Sequence, residues 1–68
     1  MSELPIAAVD RIIRKATGIR VSEDAAKALA EILEEKGEKL SQQAAQFAKH
    51  ANRKTITEAD IKLAVKGQ

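Results

Sequence analysis

The chain has 68 residues, with 12 lysines and arginines against 10 aspartates and glutamates, one histidine, no cysteine and Phe47 as its only aromatic. That length allows one domain, of a size at which a lone hydrophobic core is marginal without disulfides, a metal or a partner chain. Disulfides, thiolate metal sites and histidine clusters are excluded by composition, so oligomerisation is the staple that remains.

Pro5 suits the first turn of a helix, where its missing N–H is not needed. Ile6, Val9, Ile13 and Ala16 follow at helical spacing with Ile12 beside them, which predicts a short helix over about residues 5–16. Thr17-Gly18 ends it, with Gly18 as the closing glycine. Ile19-Arg20-Val21 reads as a short extended piece. Ser22 then has N-cap chemistry, with Glu23 and Asp24 in the positive first turn of the next helix.

That second helix is predicted over about residues 22–51. Leu29, Leu33, Leu40, Ala44, Phe47 and Ala51 recur at helical spacing, and Ile32 and Ala48 widen the stripe. Such a helix is roughly 40 Å long at a rise of about 1.5 Å per residue. A globule of this chain length has a radius of gyration of about 11 Å. The two short flanking segments cannot cover so long an apolar stripe, so a second copy of the chain is expected to do so. Gly37 lies near the middle of this helix, where glycine costs about 1 kcal/mol relative to alanine. Neutral drift explains it, and so does close approach of a partner helix at a crossing point; the second is preferred.

Asn52 suits the left-handed conformation that closes many helices. Arg53-Lys54-Thr55-Ile56 reads as a second extended loop. Thr57-Glu58-Ala59-Asp60 has the form of a capping box, T-x-x-D, and Ala59, Ile61, Leu63, Ala64 and Val65 continue into a third helix, about residues 57–66. The prediction is a single all-α domain over residues 1–68, ordered short helix, long helix, short helix.

Charge is segregated along this order. Residues 1–20 carry Arg11, Arg14, Lys15 and Arg20 against Glu3 and Asp10, a balance of +2. Residues 21–50 balance to −2, with Lys27, Lys36, Lys39 and Lys49 against Glu23, Asp24, Glu31, Glu34, Glu35 and Glu38. Residues 51–68 return to +2, with Arg53, Lys54, Lys62 and Lys66 against Glu58 and Asp60. The ends and loops thus form a positive surface. No apolar run approaches the ~20 residues of a membrane span. Met1-Ser2-Glu3-Leu4-Pro5 lacks the basic and apolar regions of a signal peptide, and an intracellular protein is expected.

Arg11 and Arg14 lie one helical turn apart and project from one side. Alone, they and Arg20 fit a solvated basic face as well as a phosphate-binding one. Lys54 and Thr55 offer a point charge, a hydroxyl and backbone N–H groups to phosphate oxygens. Thr57 could add to them, although capping already accounts for it. With one aromatic residue there is no base-stacking platform for single strands or RNA, whereas duplex DNA held by its backbone needs none.

Several stretches resemble the histone fold, and archaeal histones in particular: Glu3-Leu4-Pro5-Ile6-Ala7, Arg11-Ile12-Ile13-Arg14, Arg20-Val21-Ser22, Leu33-Glu34-Glu35, Ala48-Lys49-His50-Ala51, Arg53-Lys54-Thr55-Ile56 and Glu58-Ala59-Asp60-Ile61-Lys62-Leu63-Ala64-Val65. They span almost the whole chain in order. The resemblance implies a head-to-tail handshake homodimer whose long helices cross near Leu33, Gly37 and Leu40. The first loop of one protomer would lie beside the second loop of the other in a short parallel β bridge. It also implies that Arg11 and Arg14 meet DNA phosphates, that Arg20 enters the minor groove, and that Lys54, Thr55 and Thr57 hold the backbone. Arg53 and Asp60 are expected to pair and lock the second loop to the third helix.

Phe47, His50, Asp60 and Leu63 are implied as a contact between dimers, and His50 is expected to make that contact sensitive to pH. Thr17 departs from the small glycine that many archaeal histones carry there, which disfavours tight stacking of dimers into a filament. Glu31 and Glu35 could still face Lys62 and Lys66 of stacked neighbours.

The function expected is that of a nucleosome-like architectural chromatin protein, without enzymatic activity, cofactor or metal. It would wrap and compact double-stranded DNA with little sequence preference, on the chromosome in the cytoplasm, and other histone chains are further candidate partners. The alternative is a histone-fold chain that pairs with a different one in a transcription-related complex. A lone His50 without ligand or nucleophile partners supports neither metal binding nor catalysis.

Overall fold

The structure is a computed structural model that describes residues 4–67. The reading of the first residues as lacking a signal sequence falls largely outside the described part. Three helices follow one another: α1, Ile6–Thr17; α2, Glu23–His50; and α3, Glu58–Lys66. No strand occurs among the described residues. No helix among them is long and apolar enough to cross a membrane.

The helix ends differ from expectation by about one residue, for one physical reason. Pro5, with φ −64° and ψ 119°, is extended rather than helical and caps α1 from outside, its carbonyl accepting the Val9 N–H at 3.2 Å. The Ser22 hydroxyl likewise caps α2, accepting the Ala25 N–H at 3.0 Å. Thr57, with φ −104° and ψ 169°, does the same for α3.

The C-terminal ends of α1 and α2 close by two different devices. Gly18 is left-handed at φ 71°, and its N–H reaches the Arg14 carbonyl at 2.7 Å. Asn52 is left-handed at φ 60°, and its N–H reaches the Lys49 carbonyl at 2.9 Å. Beyond Asn52, the Arg53 N–H closes a Schellman motif on the Ala48 carbonyl at 2.8 Å. Both loops therefore leave their helices through a left-handed residue, one a glycine and the other an asparagine.

The chain divides into two compact units, Met1–Glu35 and Lys36–Gln68, with α2 contributing to each. In the first, Val9 of α1 packs with Ala26 and Ala30 of α2, and Ile6, Ile13, Val21 and Leu29 lean against this cluster half-buried. In the second, Ala44 and Ala48 of α2 and Asp60 and Ala64 of α3 are buried. The interior of both is small. A buried methyl contributes on the order of 0.8 kcal/mol, against ~1.5–3 kcal/mol for a fully buried Leu, Ile or Phe. No large side chain among the described residues is fully buried, while Ile12, Ile19, Ile32, Leu33, Ile61, Leu63 and Val65 are exposed.

Candidate nucleic-acid interface

Loop 2, residues 51–57, is built around the Arg53 side chain. Its guanidinium donates to Asp60 through Nη1 to Oδ2 and Nη2 to Oδ1, both at 2.8 Å. Nη1 also donates to the Thr55 carbonyl at 3.2 Å. The Thr57 N–H donates to Asp60 Oδ2 at 2.9 Å, and the Asp60 N–H returns to Thr57 Oγ1 at 3.4 Å, which completes the capping box. Aspartate is short enough for this box because its carboxylate is also drawn toward Arg53. The fork geometry of arginine on carboxylate suits a site where one partner is buried and the other reaches it from the surface.

These contacts act on the Asp60 proton. The Arg53 side-chain hydrogen bonds, and then the Thr57 N–H, hold the Asp60 carboxyl well below the usual carboxylate range. In turn, hydrogen bonding to Asp60 raises the Arg53 guanidinium above its ordinary value. With Arg53 committed to the fold, the groups loop 2 presents to solvent are Lys54 and Thr55, both exposed and with side chains that make no hydrogen bond or ion pair to another described residue. The Thr57 oxygen is engaged as the cap.

Loop 1, residues 18–22, carries Arg20, exposed and without an ion pair to any described residue. On α1, Arg11 is likewise exposed and unpaired among the described residues. Arg14 differs: its Nε lies 2.7 Å from Asp10 Oδ1, one turn earlier. That oxygen is buried and meets no donor in hydrogen-bond geometry, so the contact is an ion pair of poor alignment. Arg14 is thus partly neutralised. Lys15, which sequence reasoning misses as a site residue, joins Ala8, Arg11, Ile12 and Arg14 around a surface depression; its i,i+4 spacing from Arg11 is the available signal. In the second unit, Lys49 joins Arg53 and Lys54 around another, with Ala45, Ala48 and Ile56.

The remaining expected residues are scattered. His50 ends α2 and is exposed, Phe47 is half-buried, and Leu63 is half exposed. Asp60 is buried, with its oxygens engaged by Arg53 and Thr57. A Cβ on Gly37 would meet nothing within 4 Å, so no packing within the chain calls for glycine there. Leu33 is exposed and Leu40 half-buried. Glu31, Glu35 and Lys66 are exposed, and Lys62 forms an ion pair with Glu58. Thr17 spends its hydroxyl locally: it donates to the Ile13 carbonyl at 2.9 Å and accepts the Ile19 N–H at 3.1 Å. No group of three or more His, Cys, Asp or Glu among the described residues could hold a metal ion.

Residues 2–65 match the family described as histone-like transcription factor (CBF/NF-Y) and archaeal histone. The chain belongs to this family. Among its relatives is the archaeal histone HAN1 of Thermococcus zilligii, 61% identical over 66 residues that cover 97% of this chain and 98% of that protein. Probable archaeal histone 3 of Methanocaldococcus jannaschii is 46% identical over 67 residues, 98% of this chain and 100% of that one. The short–long–short helix order is that of the histone fold, and membership accounts for it along nearly the full chain.

Proposed function

We propose that this chain is an architectural chromatin protein without enzymatic activity, which binds, bends and compacts double-stranded DNA as a head-to-tail homodimer on the chromosome. The near full-length likeness to archaeal histones carries this reading. The disposition of charge supports it. Arg11, Arg20 and Lys54 are exposed with no acidic partner among the described residues, and both loops present a cation beside backbone amides.

Affinity then comes from phosphate contacts by Arg11, Lys54, Thr55 and helix N-termini, with Arg20 in the minor groove and Arg14 weakened by Asp10. Sequence preference follows DNA bendability rather than base readout. The exposed apolar residues, among them Leu33 and Leu63, are what a second copy covers, and the open space around Gly37 is where its long helix crosses. Phe47, His50 and Leu63 provide the contact between dimers. Stacking through Glu31, Glu35, Lys62 and Lys66 is limited by the side chain of Thr17.

Nuclease digestion of duplex DNA saturated with the protein tests this. Protected fragments growing in regular steps, or one fixed size, support wrapping by polymerising or closed assemblies respectively. Unprotected DNA sinks the reading. The family also includes transcription factors, which favours a second reading: a chain that folds only with a different histone-fold partner. A chain that is unfolded alone at micromolar concentration and folds on adding such a partner would establish it.

A further inference from the structure

The two loops solve the same backbone problem differently. After a helix closes on a left-handed residue, the following N–H needs an acceptor. In loop 2 the Arg53 N–H finds the Ala48 carbonyl directly at 2.8 Å. In loop 1 the equivalent N–H, that of Ile19, finds the hydroxyl of Thr17 at 3.1 Å, and that hydroxyl donates its own proton to the Ile13 carbonyl at 2.9 Å. A threonine hydroxyl has one proton and can accept as well, so a single side chain serves both bonds. Gly18, between them, is left-handed and would leave the chain direction free without this tie. Ile19 itself offers no other anchor, since its side chain is 68% exposed. Arg20 is the next residue, exposed and with no ion pair to any described residue.

We propose that Thr17 is a positioning residue for DNA binding: its hydroxyl bridges the Ile13 carbonyl and the Ile19 N–H, and so fixes the direction in which loop 1 presents Arg20. The role rests on the DNA-binding function proposed above and assigns Thr17 a part separate from limiting the stacking of dimers. A glycine at this position would fit the backbone but could not make the bridge. The side chain keeps an otherwise loose loop pre-ordered before DNA arrives, which lowers the cost of immobilising it on binding.

The test uses the full chain and a mixed-sequence duplex of about three helical turns, on which Thr17→Val, Thr17→Ser and Arg20→Ala are compared. Valine keeps the shape and removes the hydroxyl; serine keeps the hydroxyl. Loss of one neutral hydrogen bond corresponds to about a three- to tenfold change in affinity. Thr17→Val is expected to weaken binding by that factor and to speed exchange of the Ile19 amide, while Thr17→Ser stays near wild type. Because the effect runs through Arg20, it should vanish in the Arg20→Ala background and persist in the Lys54→Ala background. If Thr17→Val is too unstable to compare, Thr17→Ala enters the same cycle. Additive losses with Arg20→Ala, or a serine variant as weak as the valine one, overturn the positioning role and leave the function standing. A wild type that leaves duplex DNA unbound overturns both.

Discussion

The guanidinium of Arg53 grips the carboxylate of Asp60 through two parallel 2.8 Å hydrogen bonds, and the same carboxylate also accepts the Thr57 N–H that begins α3. One buried side chain thus ties loop 2 to the helix after it. Asp60→Asn keeps the volume but turns one acceptor into a donor facing donors. We expect it to lower the melting temperature more than Glu58→Gln, which breaks an ion pair whose two side chains are largely exposed. Thermal unfolding of both variants at one protein concentration checks the order, and equal melting temperatures would contradict it.

Acid should act on the same contact. The folded-state proton affinity of Asp60 is depressed, chiefly by Arg53, below that of an unfolded aspartate, for which the pKa is about 3.9. Its stabilising effect is therefore complete above that pH and is lost as the pH falls toward the depressed folded-state value. Urea unfolding of wild type and Asp60→Asn should differ most near neutral pH, and the gap should narrow below about pH 4. A gap that holds constant down to about pH 2 would show that the carboxylate charge is not what matters.

Arg14 and Arg20 are both arginines on the basic side of the chain, yet they should contribute unequally. Arg20→Ala and Lys54→Ala are each expected to reduce the slope of log affinity against log salt by roughly one. Arg14→Ala should reduce it less, because Asp10 lies 2.7 Å from its Nε. Asp10→Asn should tighten binding by releasing that arginine and removing a negative charge. Anisotropy titrations across a series of salt concentrations decide this, and an Arg14→Ala slope equal to that of Arg20→Ala would discount the ion pair.

A chain with so small an interior should depend on its own concentration. Wild-type melting temperature is expected to rise as protein is increased from micromolar to hundreds of micromolar, by mass action on the associated state. Leu33→Glu, at an exposed position near the expected helix crossing, should abolish cooperative unfolding at low micromolar concentration. A melting temperature independent of concentration would argue for a stable monomer.

The helix ends are the most legible part of the sequence, because local chemistry decides them. Ser22 and Thr57 cap through their own side chains, and Gly18 and Asn52 are residues that tolerate positive φ. Asp60 is legible twice, from T-x-x-D and from the family pattern around Arg53. Depth is harder to read. Periodicity places Leu29, Leu33, Leu40 and Phe47 on the apolar stripe of α2, but the residues that are buried there are Ala26, Ala30, Ala44 and Ala48. A period identifies a face and not how closely a neighbour approaches it. The Thr17 bridge is hidden as well, since it depends on where the chain turns after Gly18. The Asp10–Arg14 spacing is visible, but spacing alone does not tell whether Arg14 turns to its own helix or to DNA.

Five of the six buried apolar side chains among the described residues are alanines. A leucine interior can lose or exchange methylenes and repack. An alanine has only one methyl, and the tolerated replacements, glycine and serine, are of similar size or smaller. Drift at Ala26, Ala30, Ala44, Ala48 and Ala64 is therefore one-sided: most point changes enlarge the residue and push helix axes apart. Within each unit these methyls work less as filler than as a gauge, setting the clearance between helix backbones. Variation should gather on the outer faces, where side chains can change size without altering that clearance.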